Sequence, residues 1–117
     1  MSKVTEIRRA LVTAVAGITP HAKALSAGEK FDDAEDPYEH FVLRVIAGPS
    51  GEETEELLDD MLAADGPQSI RAALEADRTL GTLVADLRVV RHGGHRPYAI
   101  PGSEPALGSE WQIDVLS

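Results

Sequence analysis

Four histidines, His21, His40, His92 and His95, are the side chains here whose chemistry is most open to interpretation. His92-Gly93-Gly94-His95 has a spacing that could chelate a metal, with His21 or His40 as further ligands. That ligand set is incomplete. Cysteine is absent and no carboxylate stands close in sequence, so two exposed histidines flanking a diglycine turn explain the pattern better. The same stretch, Arg91 to Arg96, is the one basic concentration in the chain. Two arginines facing each other across a hairpin repel unless an acidic surface accepts them. The acidic helix of a neighbouring copy is one candidate acceptor, and a hairpin end simply solvated by water is the equal alternative. Arg91, His92, His95 and Arg96 on one side, and Glu52, Glu53, Glu56 and Asp60 on the other, are therefore the candidate protein-interface residues.

Other chemistry is weaker. Asp32-Asp33-Ala34-Glu35-Asp36 resembles a calcium loop, but Pro37 occupies the position that needs glycine and no bidentate glutamate follows. Glu52–Glu56 is explained as a helix start. There is no G-x-S-x-G elbow, Walker loop or dinucleotide fingerprint. No catalytic, cofactor or metal residues are expected, and the chain does not read as an enzyme. A buried carboxylate–histidine pair in a cleft would be the sign to the contrary.

The chain that must position these groups has 117 residues, 43% hydrophobic, 4% aromatic, with a formal charge of −9. This length suits one domain. The hydrophobic content is too high for a disordered chain. Glu6, Arg8 and Arg9 interrupt what would be a signal peptide, and no run is long and apolar enough for a membrane span. These features predict a soluble, acidic, intracellular domain. Its charge argues against tight nucleic-acid binding. Residues 52–86 hold ten acidic and two basic side chains, and so nearly all of the excess.

Val4, Ile7, Leu11, Ala14, Val15 and Ile18 predict an N-terminal helix, closed by Gly17 and Pro20. Residues 21–26 predict a short strand, and 27–37 an acidic loop. Tyr38–Ala47 predicts a strand with Phe41, Leu43 and Val45 inward and Tyr38, His40, Val42, Arg44 and Ile46 on a mixed face. That face calls for a second covering layer or a neighbouring subunit. Ser50 and Glu53 predict a capping box. A helix with Leu57, Leu58, Met61 and Leu62 buried follows, then one with Ile70, Ala73 and Leu74 inward. Leu80, Leu83 and Val84 continue the helical spacing. Leu87–His92 and Tyr98–Ile100 predict two strands of a hairpin across Gly93-Gly94, with His92 opposite His95 and Arg91 opposite Arg96. Residues 103–107 read as a loop. Glu110–Leu116 predicts a strand with Trp111, Ile113 and Val115 inward. The fold class is α+β: a mostly antiparallel sheet of four to five strands, packed by an N-terminal helix and a central helical pair.

From Gly66 onward the chain resembles a known family. Gly66-Pro67-x-Ser69-Ile70-Arg71-Ala72-Ala73-Leu74-Glu75-Ala76-Asp77-x-x-Leu80-Gly81, then Val84-x-Asp86-Leu87-Arg88-Val89, then Leu107-Gly108-x-Glu110-Trp111-x-Ile113-x-Val115, is similar to tail terminator proteins of long-tailed phages, above all those of actinobacteria. The N-terminal half shares only the order of elements, and residues 20–37 are shorter and more acidic than in that family. The resemblance implies a virion structural protein at the tail neck, present in host cytoplasm during assembly. It would form a ring, usually a hexamer, that stops tail-tube polymerisation. The implied partners are further copies of itself, the tail tube protein and the head–tail connector protein, with DNA crossing the lumen unbound. A head–tail completion protein, or a small dimeric ligand-binding or regulatory domain with a pocket lined by Tyr38, Trp111 and histidines, are the alternatives.

Overall fold

The apolar spacings find a common centre in the computed structural model, which describes residues 3–19, 22–26, 38–99 and 101–116. The expected acidic loop, His21 and Pro20 lie outside these. Among the described residues the elements run α1 (Lys3–Ala14), β1 (Ala22–Ser26), β2 (Tyr38–Pro49), α2 (Glu52–Leu62), α3 (Ile70–Glu75), β3 (Asp86–His92), β4 (Arg96–Tyr98) and β5 (Ala106–Leu116). This is a small α+β fold with a five-stranded antiparallel sheet in the order β1-β2-β5-β3, β4 also pairing with β5.

One face of the sheet takes all three helices. Ile7, Leu11 and Val15 from the N-terminal segment, Leu58 and Met61 from α2, and Ile70 and Leu74 from α3 bury against Phe41, Leu43, Val45, Leu87, Trp111, Ile113 and Val115. Inward positions of β2 and β5 follow the two-residue period expected. On α2 the buried side chains are Thr54, Leu58 and Met61, whereas Leu57 is exposed. Leu57 falls at the edge of the buried stripe, and Thr54 takes its place in it.

Four local expectations are corrected. The capping box at Ser50 does not form. Gly51 is the N-cap of α2 without a side-chain bond, and the Ser50 N–H goes to the Pro105 carbonyl. The cap that forms is Ser69 of α3, whose Oγ accepts from the Ala72 N–H and donates to the Ala63 carbonyl, tying both helices together. Helical spacing past Asp77 does not make a helix. The Asp77 carboxylate takes the Thr79 N–H, the Thr79 hydroxyl and the Gly81 N–H, and Leu80 and Thr82 turn to positive φ. Those bonds hold the Asp77 carboxyl below its ordinary pKa of 3.8.

The third correction matters most. The diglycine is not a hairpin turn. β3 and β4 do not pair with each other; they lie end to end along the same edge of β5, His92 opposite Trp111 and Arg96 opposite Gly108. Gly93-Gly94 is a break in one discontinuous edge strand, anchored by the Gly93 N–H on the Glu110 carbonyl. The reversal comes later, in the 99–105 connection, and β5 begins at Ala106 within the span expected to be loop.

Candidate functional site

No described helix or strand covers the other face of the sheet, and it carries charge where the first carries hydrocarbon. Asp114 is its centre. His40 Nδ1 lies 2.6 Å from Asp114 Oδ1, and Arg88 Nη2 donates to Oδ2 at 3.2 Å, so one buried carboxylate braces β2 and β3 across β5. The Arg88 guanidinium sits 4.4 Å above the Tyr38 ring. Four residues along β5, Glu110 repeats the device. Its Oε2 accepts from Arg44 Nε at 2.9 Å and the Tyr98 hydroxyl at 3.1 Å, its Oε1 from Arg96 Nη1 at 3.4 Å. Burial, then the adjacent Glu110 charge, raises the Tyr98 phenol above its ordinary pKa of 10. Tyr98 packs beside Gly108, where any Cβ would strike the Val45 carbonyl.

Between these clusters is a groove of about 370 Å³ lined by Val42, Arg91, His92, Gly93, Arg96, Glu110 and Gln112. A bulge between Val89 and Arg91 brings Arg91 to its margin. The extra residue leaves Val90 exposed and swings Arg91 onto the open face, where its Nε donates to Gln112 Oε1 at 2.8 Å. The missing side chain at Gly93 makes room for that of Arg96, whose Cδ a Cβ there would crowd.

The sequence candidates therefore separate into three places. Arg91, His92 and Arg96 gather at the groove, but the arginines stand at its two ends and do not oppose each other. His95 turns to the helical layer, its Nε2 2.8 Å from Asp59 Oδ1 of its own α2. Glu52, Glu53, Glu56 and Asp60 are exposed on the outer side of α2, and among the described residues no cation pairs with any of them. The His95–Asp59 bond lies within one chain and is a different contact from the one with a neighbouring copy that the sequence suggests.

His92 and His95 serve different neighbours, His92 Nδ1 accepting the Gly94 N–H. Among the described residues no group of three or more metal-ligating side chains comes together. The His40–Asp114 pair is the buried carboxylate–histidine contact that would signal acid–base chemistry. With Arg88 on the second oxygen it works as a strut between strands, and neither residue lines the groove. Tyr38 and Trp111 do not share a pocket: Trp111 is in the core at 1% exposure and Tyr38 is on the opposite face.

Sequence reasoning missed the Asp114 and Glu110 networks. The signal was present in the alternation of β2 and β5. Antiparallel pairing that sets Phe41 beside Ile113 also sets His40 beside Asp114 and Arg44 beside Glu110. Outside this face, Arg78 forks onto Asp86 at 2.9 and 3.1 Å, which holds the Asp86 carboxyl below its ordinary range. No described helix is long and apolar enough to cross a membrane. No protein-family model, curated protein or solved structure matches this chain.

Proposed function

We propose that this protein is a structural ring subunit that terminates a phage tail tube, probing neither substrate nor cofactor and acting through contacts with copies of itself, the tube and the head connector. The observation that carries the reading is the uncovered sheet face. It presents apolar side chains such as Val42 and Ile46 among prearranged ion pairs, the composition of a protein–protein contact surface. A domain this small gains stability by laying such a face on a neighbour. The family resemblance from Gly66 onward supplies the kind of assembly, and several of its motif residues have structural work here: Ser69 caps α3, Gly108 admits Tyr98 and Glu110 gathers two arginines. The formal charge of −9 suits a channel crossed by DNA, since carboxylates repel phosphates and keep the duplex from adhering.

Native mass spectrometry and negative-stain imaging of the purified chain, alone and mixed with polymerised tail tubes, test this. The expected result is a closed ring with an axial opening, or rings found at tube ends. A compact dimer under both conditions overturns the reading in favour of a regulatory module.

A further inference from the structure

The groove beside the diglycine break and the outer side of α2 fit each other in charge and in length. Glu52, Glu56 and Asp60 recur every four residues and so form one stripe, opposite the buried Thr54, Leu58 and Met61. Eight residues of helix set Glu52 and Asp60 about 12 Å apart. On the groove, Arg91 stands opposite Gln112 and Arg96 opposite Gly108, four residues along β5 and therefore about 13 Å apart. Three arginines, Arg44, Arg91 and Arg96, surround one carboxylate, Glu110, so the groove and its margin are net positive. Leu57, exposed beside the stripe, has an apolar counterpart in Val42 of the groove.

The two surfaces belong to opposite layers. α2 is among the helices on one side of the sheet, and the groove opens on the other. They cannot meet inside one chain. We propose that α2 of one copy docks its Glu52–Glu56–Asp60 stripe into the Arg91–Arg96 groove of the next copy, head to tail. A contact of this type uses different patches on the two partners and propagates until it closes. Arg96 lies against Gly93, where a Cβ would press on its side chain, and this holds the guanidinium beside the break to meet the approaching Glu56 carboxylate. The His95–Asp59 bond ties α2 to the segment just past the break and so sets the angle between the surface that gives and the surface that receives. This assignment deepens the ring reading and rests on it only for closure.

Charge reversal with rescue tests it. One variant carries R91E and R96E, a second carries E52K, E56K and D60K, and a third carries all five. Circular dichroism checks that each is folded, and sedimentation or native mass reads assembly. The first two should each associate at least about tenfold more weakly than the unmodified chain, since like charges then face each other. Mixed one to one, they should assemble again as alternating copies, and the five-substitution chain should assemble alone. If the unmodified chain assembles and the reversals do not alter it, the docking is overturned while the ring reading stands. Loss and rescue of open chains without closure supports the docking and overturns the ring. A chain that stays monomeric alone and on tail tubes overturns both. Reversals that change only retention on a DNA duplex make the groove a phosphate contact and overturn the docking.

Discussion

The two faces of the sheet are made by alternate residues of the same strands, yet they are held by different forces. Beneath the helices, Phe41, Leu43, Val45, Trp111, Ile113 and Val115 interlock with apolar helix residues and exclude water. On the other face, Asp114 and Glu110 each gather two basic side chains, and Arg88 and Arg44 sit over aromatic rings. The first arrangement is non-directional and tolerates small adjustments. The second depends on register, because sliding β5 by one residue would turn every carboxylate into the core. Stability therefore belongs mainly to one face and specificity of alignment to the other.

Substitutions can separate those roles. Trp111→Ala should cost about 3–5 kcal/mol in denaturant unfolding, because a fully buried indole leaves a cavity. A loss below 1 kcal/mol would mean that the helical face is not the main source of stability. Gly108→Ala should cost about 2–3 kcal/mol, since its methyl meets the Val45 carbonyl and the Tyr98 ring, neither of which can yield freely. Asp114→Asn keeps the shape and removes the charge, with an expected loss of about 1–2 kcal/mol by thermal melting. Hydrogen exchange should rise along β2 and β3 more than in α1, and uniform loss of protection would count against a local brace. The smallest effect belongs to Ser109, whose buried Oγ has no hydrogen-bond partner among the described residues. Ser109→Ala should be neutral or stabilising by up to about 1 kcal/mol, and clear destabilisation would show that the hydroxyl has an unrecognised role.

The element order and inward residues were legible because hydrophobic period survives in any environment. Val4 to Ile18, Phe41 to Val45 and Trp111 to Val115 each announce one buried side. What was not legible depends on long-range pairing or on competition for backbone groups. Gly93-Gly94 has the local grammar of a tight turn, and only pairing with β5, remote in sequence, overrides it.

 The register of β3 and β4 on β5 is what decides the matter, since both strands run the same way along it. Arg91 reaches the open face only because the bulge at Val90 reverses the alternation, and nothing in Leu87–His92 taken alone signals that extra residue. Likewise, apolar spacing through Leu80, Leu83 and Val84 lost to Asp77, whose side chain captures the N–H groups that a further helical turn would need to bond.

The broken edge of the sheet has a consequence for how copies avoid each other. An exposed strand margin offers unpaired N–H and C=O groups to any other margin, and identical subunits at high local concentration would zip into continuous ribbons. Here that margin is interrupted three times within eight residues: the bulge at Val90, the diglycine gap and Pro97, which has no N–H to donate. No stretch between them is long enough to template a ladder. The backbone along this edge is thereby closed to uncontrolled strand addition.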